Sequence, residues 1–556
     1  MRRRHLLAAA LPTGLLQGCA RQAPELPGGY TGSAMERGHA LRERLARGEG
    51  YQPDVMRRTQ VLIAGAGVAG LAAARSLRLA GVEDFALLEL EDQAGGNSRA
   101  GSVNGIACPL GAHYLPVPGD DAREVQDLLE ELGLRRRVAG RWRYDERHLC
   151  HSPQERLLFN GQWQEGLLPM AGVGAATLAQ YRRFAARVDE LARAARFSMP
   201  ALKSWMPNRP LAPVHQALDA ITFASWLARE GLDDVHLRWY LDYCCRDDYG
   251  AGLARVAAWA GSHDFASRHG FHAPGGPGAD GEGVLTWAQG NGWLTQRLAA
   301  PLAERLRTGS SVLRITEGRH GVELDAYDHA TDRIERWQAR RCIVALPVFV
   351  AARLVWPAPD FLAEAARRLQ WAPWLVANIH LDRPLADREG AAPAWDNVLY
   401  ADPLAGGLGY VNAGHQGLDP RAAMAGPTVL TYYQALGDLP DARRQLAERP
   451  WTHWQGAILA SLSGPHPDIH ERATRMELTR YGHAMSIPVP GLQVFLSQIG
   501  HSPVSGKRHK LSNNERLSPT PATARLLFAH ADWSGYSVFE EAFTRGHAAG
   551  LLAADW

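Results

Sequence analysis

The first part of this chain combines a long apolar run, a glycine-rich turn and a helical pattern, in that order. Residues 58–64 ("RTQVLIA") end in consecutive apolar residues, which is typical of a buried parallel strand. Residues 71–81 ("LAAARSLRLAG") repeat apolar side chains at helical spacing and end at Gly81, a residue type that often terminates helices. A second run, "FALLEL" at 85–90, predicts the next strand. The order strand, helix, strand predicts a βαβ unit.

Similar patterns return later in the chain. The segment "RRCIVALP" at 340–347 predicts another buried strand, and residues 526–552 ("LLFAHADWSGYSVFEEAFTRGHAAGLL") predict a strand, a turn and a helix. Between these segments, residues 145–285 are helix-rich in pattern and residues 350–485 are mixed. The chain therefore predicts an α/β fold: one parallel-sheet domain built from non-contiguous segments, with a mixed α+β domain inserted between them.

The N-terminus has the pattern of an export signal. Three arginines precede a short apolar run that ends at Cys19, and this run is too short to span a bilayer. Arg3 and Arg4 resemble a twin-arginine signal, and "LQGC" resembles a lipobox whose cysteine is lipidated. We expect an exported, periplasmic protein, either anchored to the membrane through Cys19 or cleaved near it.

Composition narrows the possible partners. The formal charge is +2, hydrophobic residues make up 46% of the chain and charged residues 21%, as in an ordinary globular protein. A charge this small gives no reason to expect a nucleic-acid partner. The six cysteines show no C-x-x-C spacing, so neither a zinc site nor another metal site is predicted.

The turn after the first strand carries a G-x-G-x-x-G motif. Gly65 permits the tight turn, Gly67 lets backbone N–H groups approach a pyrophosphate, and Gly70 allows the helix to pack closely on the strand. Glu89, at the end of the second strand, can accept hydrogen bonds from a ribose diol. This context predicts a Rossmann-like dinucleotide-binding domain.

The residues that follow Glu89 favour FAD over NAD. Gly95 and Gly96 resemble the second FAD motif of the flavin-containing amine oxidase superfamily, in which the run is Gly-Gly-Arg. Here Asn97 stands in the Arg position, and Arg99 is predicted to make the phosphate contact. In register with this family, Val312 would contact the adenine side of FAD through its backbone.

The resemblance extends to the C-terminal segment. Asp532 matches the acidic turn of the last FAD motif, and "WSGY" resembles the segment that in monoamine oxidases contributes a tyrosine to an aromatic cage on the flavin. The resemblance implies that Tyr536 is a cage wall and that Trp533 lines or supports it. The helix after Tyr536 carries "SVFEEA" where the family has a Glu-Gly-Ala run.

The resemblance is weakest at the catalytic lysine. Many amine oxidases hold a water near the flavin with a lysine, and Asn378 takes that position here; Asn378 could hold a water but could not act as a base. The cysteine that bonds the flavin in monoamine oxidases has no match, which predicts non-covalent FAD. Asp247 and Asp248 either cap a helix or lie in a solvated loop, or they face a cationic amine in the substrate pocket. His483 either belongs to a turn or faces the cofactor.

Together these observations predict seven segments: a signal peptide (1–19), a tether (20–56), the first part of the FAD-binding domain (57–145), a helix-rich substrate-domain insertion (146–285), the second FAD part (286–350), the second substrate part (351–485) and the third FAD part (486–556). Two activities remain open. The first is oxidation of an amine or amino acid, with hydride transfer to FAD and reoxidation by O2. The second is a desaturase or dehydrogenase of the same fold, with a non-amine substrate and another electron acceptor.

Overall fold

A computed structural model describes residues 26–47, 50–205, 210–268, 270–274, 283–416, 426–499 and 520–555. The predicted signal peptide, with Cys19, lies outside the described residues. We number the strands in chain order: β1 Gly28–Tyr30, β2 Val55–Ala64, β3 Phe85–Leu88, β4 Ala100–Val103, β5 Ile106–Pro109, β6 Tyr114–Pro116, β7 Arg135–Val138, β8 Arg141–Tyr144, β9 Glu155–Phe159, β10 Gln162–Glu165, β11 Val284–Thr286, β12 Leu306–Arg307, β13 Ser310–Glu317, β14 Val322–Asp328, β15 Arg333–Val344, β16 Gln370–Leu381, β17 Asp396–Leu399, β18 Gly407–Asn412, β19 Thr428–Ala435, β20 Ala473–Ile487 and β21 Leu526–Phe528.

The α-helices of the described residues are numbered in the same way: α1 Met35–Ala46, α2 Val68–Leu79, α3 Arg123–Glu131, α4 Ala175–Ala194, α5 Pro213–Asp219, α6 Phe223–Arg229, α7 Val235–Tyr249, α8 Ala258–Ser267, α9 Gly292–Ala299, α10 Val348–Leu354, α11 Asp360–Arg368, α12 Ala442–Glu448, α13 Trp451–Ser463, α14 Ile469–Arg472, α15 Leu492–Ile499 and α16 Phe539–Ala554. Short 3-10 turns occupy Ala201–Ser204, Ala300–Arg305, Ala413–Gln416 and Ala531–Ser534.

The first large sheet has seven strands and joins distant parts of the chain. Its order is β12-β3-β2-β15-β14-β13, and β21 pairs with β15. Strands β2, β3, β15 and β21 run parallel, as their continuous apolar character predicts. The last helix, α16, packs on α2 so closely that a Cβ at Gly546 would lie 2.0 Å from the Ala69 carbonyl oxygen. The beginning and the end of the chain thus form one layer.

The second large sheet has eight strands in the order β1-β20-β16-β19-β18-β17-β9-β10. Helices α4 to α8 pack near it, and their apolar faces share one core cluster with residues of β16, β19 and α16's preceding turn. The structure confirms the α/β fold class: a nucleotide-binding sheet whose central strands are parallel, with antiparallel strands at one side, and a mixed second sheet.

Part of the predicted tether is folded. Gly28–Tyr30 forms a parallel edge strand beside β20, and Met35–Ala46 forms helix α1. Gly28 approaches β20 so closely that a Cβ would lie 1.7 Å from the Met476 carbonyl oxygen. The tether prediction is therefore wrong for residues 28–46, because a strand of three residues, two of them glycine, leaves almost no hydrophobic pattern in the sequence.

None of the helices in the described ranges combines the length and the apolar content that a membrane span requires.

Candidate active site

The glycine-rich turn after β2 has the geometry of a phosphate cradle. Gly65 has a φ of +96°, and a Cβ there would lie 2.6 Å from the Ala345 carbonyl oxygen. A Cβ at Gly70 would lie 1.9 Å from the Gly65 carbonyl oxygen, so α2 starts in direct contact with the turn. Gly67 differs from both, because a Cβ there would meet no atom closer than 3.9 Å. The space above Gly67 and the uncapped start of α2 can take a pyrophosphate.

Gly95 and Gly96 form the opposite rim of this cradle. A backbone bridge joins Gly67 to Gly95, and the Gly95 N–H donates to the Ala66 carbonyl over 2.8 Å. Arg99 lies beside this rim, with its Nε donating to the Gly96 carbonyl over 2.9 Å. Its guanidinium also pairs with Glu91 at 3.2 Å, so part of its charge is already neutralised within the protein.

Glu89 lies at the carboxyl end of β3, next to the cradle. Its carboxylate accepts hydrogen bonds from the N–H groups of Ala66 (2.8 Å) and Glu91 (3.0 Å). Burial raises the pKa of Glu89 above its ordinary value, against the effect of these two hydrogen bonds. Val312 lies on β13, whose first residue, Ser310, donates its N–H to the Glu89 carbonyl over 2.7 Å. The structure thus places Glu89 and Val312, the residues predicted to contact ribose and adenine, close to each other.

Asp532 is buried in the turn after β21. Its carboxylate accepts hydrogen bonds from the N–H of Val348 (2.9 Å) and from the indole of Trp371 (3.2 Å). Burial acts to raise the pKa of Asp532, but the neighbouring His530 and these hydrogen bonds outweigh it and lower the pKa below its ordinary value. Asp532 therefore remains ionised and ties the C-terminal turn to the start of helix α10.

Trp533 faces away from Tyr536. Its ring packs 6.0 Å from those of Phe361 and Phe528, in the core cluster behind the nucleotide sheet. It supports the turn from behind and does not line the aromatic wall. Gly535 adopts the αL conformation, with φ +80°, and reverses the chain. Trp533 and Tyr536, three residues apart, therefore pack into different core clusters.

Tyr536 is fully buried in the cluster that joins the helical insertion to the second sheet. Its ring lies 6.0 Å from Tyr249 and 5.6 Å from His263, in edge-to-face arrangements. Its hydroxyl donates to Glu541 Oε1 over 2.6 Å. The predicted cage residue is therefore held in one orientation by a buried carboxylate.

Glu541 is the centre of a closed network. It also accepts hydrogen bonds from Ser534 Oγ (2.5 Å) and from the N–H of Ala201. Arg545 donates to Ser534 Oγ (2.7 Å) and to the Trp533 carbonyl (2.6 Å). Since all its partners donate to Glu541, the group is a carboxylate, although burial raises its pKa; burial likewise lowers the pKa of Arg545 to about 10.

An acidic wall lies beside this network. Asp247 and Asp248, at the end of α7, are surrounded by protein and keep only part of their accessible surface. Burial raises the pKa of Asp247 to about 6 and that of Asp248 well above its ordinary range. Arg268 pairs with Asp264 (3.2 Å) and Glu540 (3.5 Å) and supplies positive charge to the group.

Aromatic rings lie next to these carboxyl groups. The Tyr114 hydroxyl donates to Asp247 over 3.1 Å, and Tyr114 meets His113 edge to face. His113 stacks on Tyr433 at 4.3 Å and lies 5.3 Å from Trp395. Burial lowers the pKa of His113 to about 3, so the ring is neutral. This group of residues thus combines carboxyl groups with apolar rings, which suits a ligand that is part cation and part hydrocarbon.

Asn378 and His483 lie outside this group of carboxyl groups and rings. Asn378 donates to the Pro109 carbonyl (3.0 Å), accepts from Thr431 (2.7 Å) and lines a separate cavity of about 350 Å³ with Glu91 and Arg99. Asn378 therefore lies near Arg99 and not near Tyr536. A residue in the position of the family's lysine would have to lie near Tyr536. His483 stacks on Phe349 at 4.2 Å, and burial lowers its pKa to about 4.

The sequence analysis missed several residues of the site, among them Asp396, which accepts a hydrogen bond from Tyr243 over 3.4 Å, as well as Arg268, Glu540 and Glu541. Acidic residues in the first turn of a helix are usually solvated partners of the helix dipole, so the pair at 540–541 resembled an exposed helix start. The only available signal was the departure of "SVFEEA" from the family's Glu-Gly-Ala run.

The cradle, the ribose acid and the cluster of aromatic and acidic side chains around Tyr536 are the features of a flavoprotein oxidoreductase. The chain belongs to the family of flavin-containing amine oxidoreductases, whose family model matches residues 68–549. Members of this family use FAD, and FAD is the cofactor of this chain. The residues present fit it, since of the three glycines of the turn only Gly67 leaves room for a pyrophosphate, and the carboxylate of Glu89 accepts from the neighbouring Ala66.

Two curated relatives match part of the chain. The L-amino acid dehydrogenase of Synechocystis sp. is 27% identical over 182 residues, which cover 32% of this chain and 36% of the relative. The putrescine oxidase of Kocuria rosea is 29% identical over 175 residues, 32% of each chain. The matches span about a third of the length of these relatives.

Two solved structures match nearly the whole fold. An engineered variant of putrescine oxidase has a TM-score of 0.62 and 16% identity, covering 90% of this chain and 99% of the other. Cyclohexylamine oxidase from Brevibacterium oxydans has a TM-score of 0.61 and 18% identity, covering 89% and 99%. At such identities the likeness establishes the fold.

Proposed function

We propose that this protein is an FAD-dependent oxidase of a cationic amine that carries no carboxylate group, with O2 as the final electron acceptor. The observation that carries the proposal is the cluster of carboxyl groups and aromatic rings in which Tyr114 donates to Asp247 and Tyr243 to Asp396, with Asp248 next to Asp247 in the chain. The similarity to putrescine oxidase and cyclohexylamine oxidase supports an amine as substrate.

FAD, when bound, supplies the acceptor for the hydride equivalent that leaves the α-carbon of the amine. The protein's own residues orient the substrate and exclude water. The carboxylates of Asp247 and Asp248 would attract an ammonium group, and the rings of Tyr114 and Tyr433 would enclose the alkyl part. Hydrolysis of the resulting imine gives a carbonyl compound and ammonia or a smaller amine, and O2 takes up the two electrons as hydrogen peroxide.

The same charges argue against amino acids. A substrate carboxylate would enter a wall already formed by Asp247, Asp248 and Asp396, while the guanidinium of Arg268 is paired with Asp264 and Glu540. Each of these groups that is ionised repels a substrate carboxylate, which disfavours the binding of amino acids.

A dehydrogenase is the second candidate. It is supported by the partial similarity to an L-amino acid dehydrogenase. In this case the same oxidation would deliver its electrons to an acceptor other than O2.

An anaerobic substrate screen separates these activities. The purified protein is mixed without O2 with aliphatic amines, diamines, L-amino acids and apolar carbonyl compounds, and the bleaching of the flavin absorbance is followed. We expect bleaching by amines, and peroxide once air is admitted. Bleaching by amines without peroxide in air would establish the dehydrogenase. Bleaching only by amino acids or carbonyl compounds would overturn the proposed substrate class.

Replacing Tyr536 by alanine should reduce turnover far more than FAD content. Its ring packs edge to face on Tyr249, two residues from Asp247, so its loss should lower kcat/KM roughly a hundredfold through poorer positioning of the substrate. Tyr536→Phe keeps the ring and should retain most of this activity. The measurements are kcat/KM and the ratio of flavin to protein absorbance. An equal loss of both quantities in Tyr536→Ala would indicate a purely structural role.

Binding of a cationic amine should strengthen as the pH rises through about 6. Below the raised pKa of Asp247 the carboxyl group is neutral and attracts the ammonium weakly; above it the group is charged, while the amine stays protonated up to about pH 10. Asp264, Arg246 and Tyr114 act on the same group. KM measured between about pH 5 and pH 8 should fall in wild type and change little in Asp247→Asn.

The matched control for this titration is Asp189→Asn, on the exposed face of α4. It should keep the wild-type profile. A pH profile of Asp247→Asn that equals that of wild type would exclude Asp247 as the group that binds the cation.

We also propose that FAD is held without a covalent bond and that the protein is exported to the periplasm. The first proposal rests on the lack of a match to the flavin-bonding cysteine, and the second on the N-terminal arginines and apolar run. Release of FAD by acid precipitation, and recovery of the protein in a periplasmic fraction, are the expected results.

A further inference from the structure

Strands β7 and β8 form a hairpin that stands apart from the rest of the fold. They pair only with each other, with Arg136 opposite Arg143 and Val138 opposite Arg141. Every residue from 136 to 143 is exposed. The turn residues Ala139 and Gly140 both have positive φ (50° and 80°), as in the tight turns that match strand twist.

The hairpin concentrates positive charge. Residues 132–144 contain five arginines (Arg135, Arg136, Arg137, Arg141 and Arg143) and no acidic residue. Like charges directly opposite each other on neighbouring strands destabilise a hairpin, and Arg136 and Arg143 form such a pair. In the described part of the chain, Arg136, Arg141 and Arg143 have no ion-pair partner. An anionic partner would relieve this repulsion.

Exposed apolar groups are mixed with these arginines. Trp142 is 38% exposed, and the guanidinium of Arg135 lies 3.8 Å above its ring. Val138, at the tip, is 46% exposed. Arginine binds phosphate oxygens in a bidentate manner, and tryptophan favours the boundary between water and lipid. A mixture of arginine, tryptophan and valine at a projecting tip therefore fits a phospholipid surface better than a purely ionic partner.

We propose that the β7–β8 hairpin binds the surface of a membrane that contains anionic phospholipids. The predicted lipidation site is consistent with this role, because Cys19 is nine residues before the first strand, a distance of at most about 30 Å along an extended chain. An anchored protein would thus be held close to the membrane. The hairpin lies outside the active site, so the proposal does not depend on the identity of the substrate.

Vesicle sedimentation tests this binding. The full chain carrying Cys19→Ser, which cannot be lipidated, is mixed with vesicles of phosphatidylcholine alone or of equal parts phosphatidylcholine and phosphatidylglycerol. We expect partition to the second kind only, weakening as salt is added. Removing three hairpin charges by Arg136→Gln, Arg141→Gln and Arg143→Gln should weaken partition roughly a hundredfold, since each basic residue near an anionic surface contributes measurably.

The matched control removes the same charge elsewhere. Arg182, Arg193 and Arg229 are exposed on helices α4 and α6, and their triple change to Gln should leave partition close to that of the parent. Trp142→Ala tests the apolar part and should also weaken partition, with unchanged FAD content in every variant. Equal partition of the hairpin and control variants, or failure of the parent to bind phosphatidylglycerol vesicles at low salt, would overturn the proposal. In the latter case an acidic protein would be the remaining partner for the hairpin.

Discussion

Replacing Gly67 by alanine is expected to remove FAD from the protein while leaving the polypeptide folded. Gly67 has a φ of −68°, which alanine adopts without strain, and a Cβ there would lie no closer than 3.9 Å to any protein atom. The added methyl group would instead fill the space predicted for the pyrophosphate. Overfilling a closely packed contact costs about 1–3 kcal/mol, so the Kd for FAD should rise roughly ten- to a hundredfold.

The measurements are FAD titration and thermal unfolding with and without added FAD. A ligand that binds only the folded state raises the unfolding temperature, so this rise should shrink in Gly67→Ala while the unfolding of the FAD-free forms agrees. Gly70→Ala should behave differently and lower stability itself, because its Cβ would collide with the Gly65 carbonyl. Gly456→Ala, in an open position on α13, is the control: it should leave the FAD affinity unchanged and raise stability slightly, since alanine favours a helix more than glycine. Wild-type FAD affinity in Gly67→Ala would show that the pyrophosphate lies elsewhere.

Replacing Glu541 by alanine is expected to lower the free energy of unfolding by about 3–5 kcal/mol, because it removes a buried carboxylate that compensates the buried charge of Arg545 and accepts three hydrogen bonds. The substitution leaves the guanidinium of Arg545 buried without its counter-charge, and it deprives Ser534 and Tyr536 of their acceptor. Urea unfolding followed by circular dichroism measures the change.

A double variant isolates the electrostatic part. Glu541→Ala with Arg545→Met removes both charges, and much of the lost stability should return, because apolar replacements of buried pairs are often neutral. Glu448→Ala, exposed at the end of α12, should change stability by less than about 0.5 kcal/mol. If Glu541→Ala were no more destabilising than this control, the hydrogen-bond network of Glu541 would not stabilise the C-terminal turn.

The nucleotide site was largely predictable because it depends on local geometry. Gly65, Gly67, Gly70 and Glu89 lie within 25 residues, and a strand that runs straight into a helix allows few arrangements of the chain. The C-terminal segment was predictable as strand, turn and helix for the same reason. The tether was not, since the three-residue strand β1 is specified by its partner β20 rather than by its own pattern.

The sequence alone therefore determined the α/β class, the phosphate cradle and the presence of Tyr536 in a turn near the flavin domain. Only the tertiary structure decided which way each side chain of that turn faces: Trp533 into the core behind the sheet, Tyr536 towards Glu541 and the acidic wall. It also brought Asp247 to Tyr114 across 133 residues of chain. The physical reason is that backbone motifs are set by neighbours in sequence, whereas burial and charge pairing depend on groups that meet only when distant elements pack.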